Sequence, residues 1–150
     1  MTGRAAVLAA TIALVVPAAA QSAASTGYAG AFAGEGKLSF TLKTRKGEGK
    51  LKEWAWSALR LTCGAKSQTT SGRYLFSMEV RHRSFSGRAV RRSNSGAVVG
   101  GAKVWGKFTH AYAAAGGQFR VYGETPEGHE NCESGLVNWT AEPEVAPPGG

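Results

Sequence analysis

The chain has 150 residues, room for one domain of ordinary size and not for two. It carries 18 lysines and arginines against ten acidic residues, a formal net charge of +8. All ten acids are glutamate, which excludes Asp–His orientation pairs, Asp-built metal clusters and Asp catalytic dyads.

In chain order, Met1–Arg4 reads as a short basic leader, followed by 12 residues, Ala5–Val16, that are largely apolar. Pro17 then breaks the run, and Ala18-Ala19-Ala20 offers the small residues a signal peptidase accepts, so residues 1–20 are expected to be a signal peptide cleaved before Gln21. The run is too short to cross a bilayer as a helix, which takes about 20 residues. The mature protein is therefore expected to be secreted, with no transmembrane segment. Richness in Ala, Gly and Arg fits a GC-rich bacterial genome. Export gives the two cysteines a meaning. Cys63 and Cys132 allow one intramolecular pairing, and an oxidising compartment favours it.

Residues 21–27 are expected to be flexible, and Tyr28–Phe32 to form a first strand. Leu38, Phe40 and Leu42 then alternate with polar residues, the period of a strand with one buried face. Between Lys50 and Cys63 the apolar phase is even at Trp54 and Trp56 and odd at Leu59 and Leu61, so a bulge is expected near Ala58 or Leu59. Tyr74, Phe76, Met78 and Val80 alternate next, then Gly100 to Phe108, then Phe119–Val121 and Val137–Trp139. The stretches 43–50, 64–72, 87–96 and 123–130 read as turns. The motif Gly34-Glu35-Gly36-Lys37-Leu38 returns at residues 47–51, as two hairpin turns each feeding a strand. About eight short strands predict an all-β domain over residues 28–141, a two-sheet antiparallel β-sandwich or jelly roll with a flattened barrel as the alternative. Residues 142–150, rich in Pro and Gly, are expected to form a disordered tail.

The segment from Cys132 to Ala141, Cys-Glu-Ser-Gly-Leu-Val-Asn-Trp-Thr-Ala, follows a Lys-Val-Trp-Gly-Lys-Phe strand at 103–108 and Leu61-Thr62-Cys63. In these features the chain resembles a group of secreted bacterial β-sandwich domains with a C-x-S-G-x-x-x-W-T-A closing strand. The resemblance implies a sandwich fold, the disulfide and the closing strand. It carries over no activity and no catalytic residue.

Enzyme motifs are absent: there is no G-x-S-x-G elbow and no P-loop, and each Gly-Lys is followed by Leu or Phe. Glu124, Glu127, Glu130 and Glu133 lie in or beside one loop, which reads as a solvated acidic hairpin. His82, His110 and His129 show no ligand spacing with the cysteines, so no metal and no cofactor is expected. The excess charge falls in two groups, Lys43 to Lys52 and Arg81 to Arg92. If Val104 and Phe108 face the core, Lys103, Trp105 and Lys107 share the opposite face. There the indole is either a ligand platform, or a packed residue through inverted parity or a cover formed by residues 111–117. The expected function is a non-catalytic binding or structural module of the cell exterior, monomeric, with an anionic polymer or polysaccharide of the envelope as partner and no specific nucleic acid. Candidate ligand-binding residues are Lys103, Trp105, Lys107, Arg88, Arg91 and Arg92. The alternative is a hydrolase acting on an anionic envelope polymer.

Overall fold

The computed structural model describes residues 23–74, 77–125 and 127–145. The expected signal peptide and residues 146–150 of the expected tail lie outside the described residues. Ten strands follow one another: β1 (Ala24–Phe32), β2 (Lys37–Arg45), β3 (Glu48–Cys63), β4 (Lys66–Tyr74), β5 (Met78–Val80), β6 (Ser84–Arg92), β7 (Val98–Phe108), β8 (Ala115–Gly123), β9 (Cys132–Glu133) and β10 (Val137–Pro143). One 3₁₀ turn, His110–Tyr112, links β7 to β8.

Six of these strands close into a barrel in the order β1, β2, β3, β9, β8, β10 and back to β1. The other four lie outside the ring: β7 and β6 extend the free edge of β8, and β4 and β5 share the free edge of β3. This overturns the expected two-sheet sandwich or jelly roll. A period-two pattern reports which face of a strand is buried, and that is the same in a sandwich and in a barrel.

Closure depends on β3. Along one edge it pairs with β2 as far as Ser57, and β9 takes that edge over at Thr62 and Cys63. Two bulges bend it on the way. One sits at Glu53 (φ 60), where the β2 register slips between Ser39 and Thr41; the other sits at Ala58 (φ 53), where the β4 register slips between Trp56 and Leu59. The buried phase accordingly runs odd at Leu51, even at Trp54 and Trp56, and odd again at Leu59 and Leu61. The second slip is the expected one.

Among the described residues nine aromatic side chains are buried in the core, from Tyr28 on β1 to Trp139 on β10. Phe40 stacks on Tyr28 at 5.0 Å and on Trp54 at 5.4 Å, and Trp139 meets Trp54 edge to face at 5.2 Å. Glycine makes the room. A Cβ at Gly106 would overlap the rings of Phe85 and Trp139, and one at Gly72 would overlap Trp56.

The ladder takes in Ala24–Gly27 and Glu142–Pro143, which the apolar pattern leaves outside the domain. It also takes in two stretches that read as turns, because β4 buries only Thr70 and β6 only Phe85, too few apolar positions to show a period. The strand expected from Tyr74 to Val80 is divided between the end of β4 and β5, with Phe76 outside the described residues.

Cys63 and Cys132 stand directly opposite one another in the β3–β9 pair and form the disulfide, closing a loop with a sequence separation of 69. The bond holds the two-residue strand that completes the ring. No thiol should react in the folded protein before reduction, and intact mass should rise by two hydrogens after it. Cys63→Ser combined with Cys132→Ser should cost about 4 kcal/mol in denaturant unfolding.

Candidate functional site

β7 has neighbours on both edges, so its outward side chains sit in the middle of a sheet. Ala102, Val104 and Phe108 are buried, and Lys103, Trp105 and Lys107 point the other way. Trp105 is 40% exposed. The packed alternative is thereby overturned: parity is not inverted, and the segment after β7 goes elsewhere. Its Tyr112 packs on Phe108 at 5.0 Å, and the Tyr112 carbonyl accepts a 2.7 Å hydrogen bond from the Tyr28 hydroxyl.

Cross-strand register surrounds the indole with polar groups. Ser86, Trp105, Gln118 and Asn138 form one row across β6, β7, β8 and β10, and the Gln118 amide donates to Asn138 Oδ1 at 3.4 Å. The row on one side is Arg88, Lys103 and Arg120; on the other it is Ser84, Lys107 and Gly116. A groove of about 550 Å³ runs beside Trp105, lined also by Glu79, Arg81, Ser84 and Ser86.

The three candidate arginines separate. Arg88 stands on the Trp105 face, opposite Lys103. Arg91 is half-buried, and its Nε donates to Glu124 Oε1 at 3.2 Å; Arg92 donates to the Gly96 carbonyl at 2.8 Å within the β6–β7 hairpin. The structure brings Lys103, Trp105, Lys107 and Arg88 together and leaves Arg91 and Arg92 out. It adds Arg81, Glu79, Ser84 and Ser86. Arg81 was visible as part of a basic run, but the serines carry no signal until the hairpin is folded.

The acidic loop is likewise dispersed. Glu124 pairs with Arg91, while Glu127 reaches back to β4, accepting from the Thr70 hydroxyl at 2.7 Å and the Ser71 N–H at 2.8 Å. Glu133 is gripped by Arg120 at 2.9 and 2.7 Å and by the Gly135 N–H at 3.0 Å. Among the described residues no three His, Cys, Asp or Glu side chains converge as metal ligands.

A second groove, about 500 Å³, is lined by Glu35 and Glu133 together with Thr62 and Ser134. Glu35 is held by Arg60 at 2.9 and 3.2 Å. The hydrogen bond from Arg120, then the one from the Gly135 N–H and last the Arg120 charge, keep the Glu133 carboxyl below the usual carboxylate range against the opposing effect of burial. A carboxylate so held is a poor general acid, and glycoside hydrolysis needs one carboxyl that keeps its proton.

No family model matches the chain, and no curated protein or solved structure matches it.

Trp105→Ala should leave the melting temperature nearly unchanged, whereas Trp139→Ala should cost about 3–5 kcal/mol in the same unfolding assay. The Glu133–Arg120 pair should show in acid. Because the folded-state pKa of Glu133 is lowered, its stabilising contribution is full above the unfolded value of about 4.3, declines below it, and is gone once the pH has passed the folded value. Glu133→Gln should therefore flatten the acid limb of melting temperature against pH.

Proposed function

We propose that this protein is a secreted, non-catalytic binding module that holds an anionic polymer of the cell exterior against the β6–β7–β8 face. The leader pattern and the disulfide support export. The observation that carries the binding reading is Trp105, an exposed indole on a doubly paired strand between two outward lysines. An indole face takes a sugar ring or another flat apolar surface, and ammonium groups beside it take the anionic substituents. The amides of Gln118 and Asn138 and the hydroxyls of Ser84 and Ser86 suit a ligand rich in hydroxyl groups. For the alternative, a hydrolase, the carboxylates of the second groove are both engaged by arginine, which counts against a proton-transfer role.

Titration with polygalacturonate, heparin and neutral dextran at two salt concentrations tests the reading. Binding to a polyanion should weaken steeply with salt, through release of counterions, and dextran should bind weakly or not at all. Trp105→Ala should abolish binding at unchanged stability, and Arg88→Ser with Lys103→Ser should reduce the salt slope. Absence of binding to both polyanions at low salt, or full binding by Trp105→Ala, would overturn it.

A further inference from the structure

β5 has three residues, and its position joins surfaces that are far apart in sequence. It pairs with β3 through Gly49–Val80, Lys50–Glu79 and Leu51–Met78, and turns into β6 through His82 and Arg83. Both turn residues are left-handed, at φ 50 and 65, and Arg81 and Ser84 exchange backbone hydrogen bonds at 2.9 Å across the turn. Met78 and Phe85 point into the core, so Glu79, Arg81, Ser84 and Ser86 point out. Glu79 and Arg81 line the Trp105 groove and also a second one, of about 370 Å³, shared with Glu48 and Lys50. Lys50 in turn stands directly opposite Lys43.

The two basic groups therefore belong to one outer surface that crosses β7, β6, β5, β3 and β2. At about 4.8 Å for each of the four steps between strands, it extends about 19 Å from Trp105 to Lys43. Two features of this track leave positive charge available to an anion. Lys43 and Lys50 are exposed like charges facing one another, an arrangement that destabilises a ladder. Arg81 is held by Glu79 at 2.7 and 3.1 Å, yet with side chains 81% and 58% exposed the pair contributes little to stability, so Arg81 can change partner at small cost.

Building on the binding reading above, we infer that the ligand is an extended acidic polysaccharide laid across the strands. One sugar ring stacks on Trp105, and carboxylate or sulfate groups engage Arg81 and the Lys50–Lys43 pair, with Glu79 giving up Arg81. Single-stranded nucleic acid is served by successive aromatic rings along its groove. Among the described residues the exposed aromatic on this track is Trp105 alone, and Glu79 stands in the middle of it. A hydroxyl-rich chain that stacks a single ring matches it better.

The test is binding of oligogalacturonates, from disaccharide to decasaccharide, to the mature protein, with melting temperatures checked for each variant. Affinity should rise with length and level off once the chain spans the track. Lys43→Ala with Lys50→Ala should remove the gain of the long chains, about tenfold, and leave the disaccharide unaffected. Glu79→Gln should raise long-chain affinity severalfold, and Glu130→Gln, the same change of charge on the 124–131 loop, should not. If the lysine variant binds long chains as well as the wild type while Trp105→Ala abolishes binding, the track is wrong and the platform stands. If Trp105→Ala binds every length normally, both are wrong. If a single-stranded oligonucleotide of matched length binds more tightly with the same dependences, the substrate class is wrong.

Discussion

The barrel is built around its aromatic rings, and almost every irregularity of the chain answers to them. Among the described residues nine rings make up the core, seven on strands of the ring and two, Phe85 and Phe108, on β6 and β7. Rings of that size fit only where a neighbour gives up its own side chain, as Gly106 does for Phe85 and Trp139 and Gly72 does for Trp56. The bulges at Glu53 and Ala58 serve the same end, since without the first Trp54 and Trp56 would lie on the solvent face. The cost is visible too: the indole nitrogens of Trp54, Trp56 and Trp139 are buried and find no hydrogen-bond acceptor among the described residues.

The inner lining was largely legible in the sequence, because burial on one face writes a period of two wherever a strand has three or more inward apolar residues. Leu38, Phe40 and Leu42 on β2 and Val104 and Phe108 on β7 announced themselves in this way, and the phase change after Trp56 betrayed a bulge. The pair Cys63–Cys132 followed from there being two cysteines in a chain with a leader pattern. Closure was not legible. It rests on β9, two residues with no pattern, and on an edge of β3 passed from β2 to β9. Nor were β4 and β6, whose outward faces are Ser, Thr and Arg apart from Val90 and whose inward faces offer one buried residue each.

For the site, the sequence resolved the parity of β7 and no more. Trp105 between Lys103 and Lys107 is a local fact, but which residues face it across the ladder is a question of register, and register was hidden together with β6. The arginines show the same limit from the other side. Arg88, Arg91 and Arg92 are neighbours in sequence, yet strand alternation sends Arg91 to Glu124, and the hairpin turn takes Arg92 to a carbonyl. Charge counted along a chain overstates charge gathered on a face whenever the run lies in a strand, since successive side chains point to opposite sides.

The support beneath the surface differs from one end to the other. Trp105 rides on an 11-residue strand paired along both edges, so its backbone is fixed by two ladders and its position by the core residues on either side of it. The middle of the track rests on β5, three residues long, with a free hairpin turn whose two residues both adopt a conformation that costs an L-amino acid about 1–2 kcal/mol. Arg81 follows that short element, and among the described residues its long side chain is tied by one exposed carboxylate. On the proposed reading, a rigid apolar platform beside an adjustable cation would divide recognition into two tasks. The platform would set where a ring sits, and the cation would follow the ligand's charge.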